Sequence, residues 1–172
     1  LCTYNGARFL DAQLRSLRAQ EGVAEILAQD DRSTDATMAI LAEHARQDGR
    51  IRFAQNIQRV GVTENFQRAI LQARSPWVAL SDQDDIWQPW KLARLRSAWD
   101  GRSCLLHHAS HKFRQEAPDL LPVLAGKIRK FSGEDLRRLL YRNTIVGHTI
   151  LMRTEVADAD AVHAAAVSRG VN

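Results

Sequence analysis

The 172-residue sequence has little of several features that mark particular protein classes. No apolar run approaches the ~20 residues that cross a bilayer, and these residues do not open with a signal peptide pattern. Two cysteines, Cys2 and Cys104, are too few for a disulfide scaffold. We expect reduced thiols in a cytoplasmic protein, with one disulfide as the alternative. Gly-rich phosphate loops, Cys-x-x-Cys pairs and a Ser-His-Asp order are absent from the sequence.

The residues that are abundant describe a globular and mildly basic domain. Apolar residues make up 45% of the chain, which is enough for one core. Of the 24 basic residues, 20 are Arg and 4 are Lys. Arg binds phosphate through paired hydrogen bonds, so this bias suits an anionic partner, although genome base composition explains it equally well. Basic runs do not alternate with aromatic residues, so we expect no nucleic-acid partner.

Short apolar runs alternate with amphipathic segments over the first hundred residues. This order predicts an α/β fold, with a mostly parallel sheet sandwiched by helices in a Rossmann-like arrangement. The predicted helices cover 7–20, 33–49, 62–74 and 89–99, and the predicted strands cover 25–29, 51–56 and 76–81, after the end of a first strand in "LCTYNG" at 1–6. Beyond residue 100 the pattern is weaker, with a strand over 103–113, a helix over 132–143 and a last strand over 144–153.

Three polar loops follow predicted strands: "TYNG" at 3–6, "AQDDRSTDAT" at 28–37 and "LSDQDDIW" at 80–87. In open α/β sheets, ligands bind beyond the carboxyl ends of the strands. A carboxylate in the first acidic cluster, at Asp30 or Asp31, can accept N–H donors from a base or a ribose hydroxyl. The alternative is a cap for the following helix. The sequence therefore predicts a ligand site at this sheet edge.

The second acidic cluster has the chemistry of a magnesium or manganese site. Side chains alternate along a strand, so Asp82 and Asp84 share one side if the backbone stays extended, and Asp85 points the other way. Two carboxylates with few cations nearby suit Mg²⁺ or Mn²⁺, whose remaining ligands are water and substrate phosphate. The alternative is a solvated acidic turn before the next helix. Trp87 and Trp90 flank this loop and either stack on a sugar or pack in the core.

The order of motifs resembles family 2 glycosyltransferases, especially bacterial rhamnosyltransferase-like members. The similar segments run from residue 1 to about residue 153, and they are "CTYNGARFLDAQLRSLRAQ", "AQDDRSTDAT", "NFQRAI", "ALSDQDDIWQPWKL" and "NTIVGHTILMR". The resemblance implies a GT-A fold that takes a sugar from a nucleotide sugar with a divalent metal ion. It also implies an inverting displacement in which a general base deprotonates the acceptor hydroxyl.

The resemblance assigns roles to particular residues of this sequence. The residues expected to bind the nucleotide are Thr3, Tyr4, Asn5, Asp30, Asp31 and Asp82. The residues that match the metal-binding Asp-x-Asp are Asp82 and Asp84, with Asp84 as the direct ligand. The residues that match an acceptor-side segment at the far end of the sheet are Gly147, His148 and Thr149.

The sequence departs from the family pattern in three places. Arg32 replaces a Gly, in a loop whose backbone conformation suits Arg less well. Arg59 stands where Asn is common, before the turn at Gly61. The motif that carries the catalytic base is missing, and only Asp158 and Asp160 are acidic candidates.

These observations predict one glycosyltransferase catalytic domain over 1–172, truncated at both ends. Residues 1–100 would form the nucleotide-sugar half and 101–172 the acceptor-side half. The expected donor is dTDP-rhamnose or a UDP-hexose, and the expected acceptor is a saccharide or a lipid-linked saccharide, in cell-surface polysaccharide synthesis. Basic residues over 127–130 suit acidic lipid headgroups at the inner face of the plasma membrane, or a solvated loop. Two alternatives remain: a nucleotide-binding module without catalysis and a metal-dependent nucleotidyltransferase.

Overall fold

A computed structural model describes residues 1–102, 105–107 and 147–156 of the chain. Strands and helices alternate over its first hundred residues, as predicted. The strands are β1 (Cys2–Thr3), β2 (Ile26–Asp30), β3 (Ile51–Gln55), β4 (Trp77–Ala79), β5 (Leu105–His107) and β6 (Ile150–Arg153). The helices are α1 (Ala7–Arg18), α2 (Thr37–Gln47), α3 (Val62–Leu71) and α4 (Lys91–Ser97), with 3₁₀ turns at Gly147–Thr149 and Thr154–Val156.

The first half of the chain forms a parallel sheet in the order β1-β2-β3. Thr3 of β1 is paired with Asp30 of β2, and Asp30 is paired with Gln55 of β3. Because the strands are parallel, their carboxyl ends and the loops that follow meet at one edge. The α/β fold class is therefore confirmed, and the first two predicted polar loops lie where the sequence placed them.

An apolar stripe on α1 forms the centre of the core. Leu10, Leu14 and Leu17 recur at helical spacing, and at most 5% of each is exposed. They belong to one buried cluster with apolar residues of β2 and with Leu41 of α2. Burial of this stripe fixes α1 against the sheet and so fixes the loop between β1 and α1.

The strand predicted over 76–81 was expected to continue the parallel sheet, but it pairs in an antiparallel sheet instead. β4, β6 and β5 form a second, antiparallel sheet in the order β4-β6-β5. The chain after β4 joins the two sheets: the Cys2 N–H donates to the Ser81 carbonyl at 3.2 Å, and the Leu80 N–H donates to the Ile150 carbonyl at 3.1 Å. This connection carries the second acidic loop to the carboxyl end of β1.

Two further predictions can be compared with the described residues. Cys2 is buried, and burial raises the pKa of its thiol to about 12, so it stays a thiol at neutral pH. None of the helices in the described ranges has the length and apolar character that a membrane crossing requires. Cys104, the basic residues over 127–130 and the helix predicted over 132–143 lie outside the described residues.

Candidate nucleotide and metal site

The polar loops after β1, β2 and β4 surround a cavity of about 240 Å³. Its lining contains three carboxylates, one guanidinium, one phenol ring and several small or amide side chains. The lining residues are Cys2, Thr3, Tyr4, Asp31, Arg59, Gly61, Val62, Asn65, Phe66, Asp82, Gln83 and Asp84. A larger cavity of about 570 Å³ has a mainly apolar lining and includes none of the predicted site residues. The polar cavity is therefore the candidate ligand site.

The two aspartates of the first acidic cluster lie in different environments. Asp30 is fully buried, and protein donors occupy both of its carboxylate oxygens. Oδ1 accepts hydrogen bonds from the hydroxyls of Thr3 at 2.7 Å and Ser33 at 2.5 Å, and Oδ2 accepts from the Ser33 N–H at 2.8 Å and the Gln55 amide at 3.0 Å. Asp30 thereby joins β1, β2 and β3 at their carboxyl ends. Helix α2 begins at Thr37 instead of at the predicted residue 33.

Asp31 lines the cavity and fixes the loop after β3. Its Oδ1 accepts hydrogen bonds from the Asn56 amide at 3.0 Å and the Val60 N–H at 2.7 Å, and its Oδ2 accepts one from the Gly61 N–H at 2.9 Å. Burial acts to raise the pKa of Asp31, but these donors and the Arg59 charge outweigh it, so the pKa lies below its usual range. Asp31 is therefore an ionised acceptor at the cavity wall.

The loop after β1 is held in a fixed conformation by contacts with both acidic loops. Asn5 has a positive φ of 47°, and its side-chain oxygen accepts a hydrogen bond from the Thr34 N–H at 2.8 Å. The Gln83 side chain accepts from the Tyr4 N–H at 2.8 Å and donates to the Tyr4 carbonyl at 3.1 Å. A Cβ on Gly6 would collide with the same Gln83 side chain, which explains the glycine. Sequence reasoning did not assign this role to Gln83, because a glutamine between two aspartates carries no local signal for it.

Both arginines that depart from the family pattern have distinctive surroundings. Arg32 has a φ of +64°, which confirms that this position suits Gly better than Arg, and its guanidinium donates to the Ile57 carbonyl at 3.0 Å. The Arg59 guanidinium lies 3.9 Å from the centre of the Tyr4 ring. Arg59 Nε is also 3.9 Å from Asp31 Oδ2. Among the described residues that line the cavity, Arg59 is the only cation.

The second acidic loop is not an extended strand, which corrects the premise of the prediction and the expectation that Asp85 points away, although Asp82 and Asp84 both line the cavity. β4 ends at Ala79, and the chain turns at residues 83 and 84. Asp84 is exposed at the cavity, whereas Asp82 and Asp85 face His148. The alternation rule fails here because it applies only while the backbone stays extended.

Asp82, Asp85 and His148 form a group with the donor atoms of a metal site. His148 Nδ1 is 3.4 Å from Asp82 Oδ2 and 3.7 Å from Asp85 Oδ2, and one atom from each residue lies within 4.8 Å of the others. Asp85 Oδ2 is buried, and no described residue donates a hydrogen bond to it. Burial raises the pKa of Asp85, His148 opposes that rise, and Asp82 and Asp84 add to it. A buried carboxylate oxygen without a donor, beside a second carboxylate, fits a divalent cation.

Lys91 contacts this group through the backbone of His148. It is buried, its ammonium lies 3.4 Å from the centre of the Trp87 ring, and it donates to the His148 carbonyl at 3.1 Å. Burial lowers the pKa of Lys91 to about 7, and the Asp85 charge opposes this shift. Trp87 belongs to the core, while Trp90 is 55% exposed, so the core interpretation holds for Trp87. Sequence reasoning missed Lys91, which lies six residues after Asp85 at the start of α4.

The remaining predicted residues are distributed as follows. Gly147, His148 and Thr149 form the 3₁₀ turn before β6, in which Gly147 is exposed and Thr149 is buried. This turn is not remote from the acidic loops, because His148 contacts Asp82 and Asp85. The candidate bases Asp158 and Asp160 lie outside the described residues.

Comparison with known proteins shows the family of the chain. Residues 1–160 match the family model Glycosyl transferase family 2. Succinoglycan biosynthesis protein ExoO of Rhizobium meliloti is 30% identical over 158 residues, which cover 90% of this chain and 43% of the relative. This chain thus spans less than half the length of that relative.

Solved structures show the same fold at low sequence identity. The S. aureus TarS 1–349 complex with UDP-GlcNAc has a TM-score of 0.67 at 20% identity, covering 92% of this chain and 45% of that one. The mannosyltransferase PcManGT from Pyrobaculum calidifontis, in complex with GDP-Man and Mn²⁺, has a TM-score of 0.59 at 21% identity, covering 63% of this chain and 34% of that one. The fold is therefore of the GT-A class. The chain belongs to glycosyl transferase family 2.

Proposed function

We propose that this domain binds a nucleotide-sugar donor together with Mg²⁺ or Mn²⁺ and transfers the sugar, with inversion, to a hydroxyl of a saccharide or lipid-linked acceptor. One observation carries the proposal: the Asp82–Asp85–His148 group lies beside the cavity that Asp31 and Tyr4 also line. An acceptor for base N–H groups and a cation site adjacent to one another match the two ends of a nucleoside diphosphate. Structures of the same fold have been solved with UDP-GlcNAc (TarS) and with GDP-Man and Mn²⁺ (PcManGT), which supports a nucleotide-sugar donor for this fold.

Different residues of the chain would bind different parts of the donor. Tyr4, Asn5 and Asp31 would bind the nucleoside, and Asp82 and Asp85 would hold the cation with His148. Asp84, which is exposed at the cavity, would contact the donor or a water molecule bound to the cation. The bound cation would neutralise charge on the departing diphosphate. Lys91 would hold His148 in place through its backbone carbonyl.

The transfer step itself is a single displacement. An acceptor hydroxyl oxygen forms a bond to the anomeric carbon, and the bond from that carbon to the diphosphate oxygen breaks. The diphosphate takes the electron pair, and the hydroxyl proton passes to a general base. We propose that the base lies in the acceptor-side half, 101–172, where Asp158 and Asp160 are the acidic candidates from the sequence. The same proposal places the donor in the half formed by 1–100.

Three parts of the proposal rest on the family and on sequence resemblance. A role in cell-surface polysaccharide synthesis is supported by the similarity to ExoO, a succinoglycan biosynthesis protein. The dTDP-rhamnose or UDP-hexose donor rests on resemblance to rhamnosyltransferase-like members. A cytoplasmic location, at the inner face of the membrane, follows from the expected use of a nucleotide donor and a lipid-linked acceptor.

Product analysis tests the proposed reaction. The protein is incubated with Mn²⁺ and UDP-GlcNAc, dTDP-rhamnose or GDP-mannose, so that water acts as the acceptor of the sugar. The nucleotides are then separated by chromatography. We expect release of the nucleoside diphosphate. A chelator should abolish this release, and the Asp82→Asn variant should release much less. Binding of nucleotide without any release would identify a binding module. Pyrophosphate formation from a nucleoside triphosphate and a sugar phosphate would identify a nucleotidyltransferase.

A further inference from the structure

Arg59 and Asp31 present two complementary hydrogen-bonding groups side by side at the cavity wall. Asp31 is an ionised acceptor, and the Arg59 guanidinium carries only donors. Their nearest charged atoms, Arg59 Nε and Asp31 Oδ2, are 3.9 Å apart, which is too long for a hydrogen bond between them. Each group is thus available to a planar ligand that offers a donor next to an acceptor.

The acceptor capacity of Asp31 is almost filled by the protein. An ionised carboxylate accepts about four hydrogen bonds, and Asn56, Val60 and Gly61 supply three. Two of these reach Oδ1 and one reaches Oδ2, so the open acceptor position among the described contacts is on Oδ2, the oxygen that faces Arg59. Asp31 can therefore accept one N–H from a ligand.

Arg59 is kept at this position by Tyr4. Its guanidinium lies 3.9 Å from the centre of the Tyr4 ring, within the range of a cation–π contact. The side chain is otherwise 63% exposed, so no core packing accounts for its placement. The contact holds the guanidinium donors beside the open oxygen of Asp31.

We propose that Arg59 determines the class of nucleobase that the donor carries, an inference that rests on the proposed function. Uracil, thymine and guanine present a ring N–H beside a ring carbonyl, and this edge matches Asp31 as acceptor and Arg59 as donor. Cytosine and adenine present a ring nitrogen acceptor beside an amino donor. In the same position the ring nitrogen would face the acceptor Asp31, and the amino group would face the donor Arg59. Arg59 thus selects donors with a lactam edge, and it rejects cytidine and adenosine nucleotides.

Calorimetry with matched nucleotide pairs tests this proposal in the presence of Mn²⁺. UDP and CDP carry the same diphosphate and differ in the pyrimidine edge, and GDP and ADP form the purine pair. We expect the protein to bind the lactam member of at least one pair about tenfold or more tightly than its partner. In Arg59→Met, which keeps an unbranched side chain and removes the donors, the ratio should fall below about threefold through weaker binding of the lactam member.

The control variant is Arg46→Met, which removes an exposed arginine of α2 and should leave the ratio unchanged. Melting curves check that Arg59→Met is folded, as expected for an exposed side chain. Equal weakening of both nucleotides in Arg59→Met would show that Arg59 acts only through its charge, and an unchanged ratio would show that it does not read the base. Either result overturns the Arg59 inference and leaves the proposed function standing. If none of the four nucleotides binds with Mn²⁺, the proposed function and the inference both fail.

Discussion

His148 Nδ1 lies 3.4 Å from Asp82 Oδ2, so the turn before β6 and the loop after β4 meet at one site. The contact depends on β6 lying between β4 and β5, because that pairing carries the 147–149 turn to the acidic loop. Lys91 fixes the same turn from α4. Three separate segments therefore build the candidate cation site, and its ligands can be tested one at a time.

Substitution of Asp85 should weaken Mn²⁺ binding more than substitution of Asp84. Asp85 Oδ2 is buried against His148 without a described hydrogen-bond donor, whereas Asp84 is exposed. We expect Asp85→Asn to lower the affinity for Mn²⁺ by at least about tenfold and Asp84→Asn by about threefold or less. The concentration of free Mn²⁺ in each titration can be read from its electron paramagnetic resonance signal.

The control for these two variants is Glu43→Gln, an exposed carboxylate of α2 that pairs with Arg46. It should bind Mn²⁺ as the unmodified protein does. The reverse order, with Asp84→Asn the more damaging change, would restore the Asp82–Asp84 pair that the sequence predicts.

Asp30→Asn should damage stability and leave nucleotide affinity nearly unchanged. Asp30 accepts hydrogen bonds from Thr3, Ser33 and Gln55, and an amide would turn one of its two acceptors into a donor that faces other donors. We expect the free energy of unfolding in urea to fall by about 1–3 kcal/mol. The dissociation constant for a nucleoside diphosphate, measured on folded protein, should change by about threefold or less. A stable variant that has lost nucleotide binding would show instead that Asp30 contacts the donor directly.

Arg32→Gly should be more stable than Arg32→Ala, the reverse of the order at ordinary positions. Arg32 has a φ of +64°, a region where a Cβ costs roughly 1–2 kcal/mol and glycine is unstrained. Both variants lose the hydrogen bond to the Ile57 carbonyl, so their comparison isolates the backbone strain. Thermal unfolding of the pair gives the difference. Equal melting temperatures, or a more stable alanine variant, would argue against strain at this residue.

Asp48 should make the stability of the protein depend on pH in the acidic range. A bidentate hydrogen-bonded pair with Arg50 lowers the pKa of Asp48 to about 2, and Arg18 adds a further charge. In the unfolded chain the pKa is about 3.9, so the contribution, on the order of 2 kcal/mol, is complete above about pH 5 and is lost as the pH falls through about 2. The difference in unfolding free energy between the protein and Asp48→Asn should be largest at pH 6, fall to about half near pH 3 and disappear below about pH 2. A difference that stays constant over this range would contradict the assignment.

Much of the fold was predictable because the buried stripe of α1 and the short strands of the parallel sheet leave local periodic patterns. Leu10, Leu14 and Leu17 recur at helical spacing and are buried. The pairing of β4 was not predictable in this way, because its partner β6 lies far along the chain and local periodicity carries no information about partner or direction.

For the candidate site, too, local features could be predicted and contacts between distant segments could not. The carboxylates and the positive φ at Arg32 could be anticipated from motif chemistry. The contact of Asp85 with His148 could not be anticipated, because it depends on where β4 ends and on the turn that follows. The positions of His148 and Lys91 depend on contacts between distant segments, which a single sequence does not reveal.

The central claim is that a divalent cation and a nucleoside diphosphate bind together at Asp82, Asp85 and the adjoining cavity. Calorimetric titration of UDP, dTDP and GDP with and without Mn²⁺ measures this coupling directly. The account predicts that Mn²⁺ tightens binding of the preferred nucleotide by about tenfold or more, and that the double variant Asp82→Asn, Asp85→Asn binds it equally with and without the metal ion. Nucleotide binding that is indifferent to Mn²⁺ in the unmodified protein, or a double variant that keeps the full Mn²⁺ effect, would contradict it.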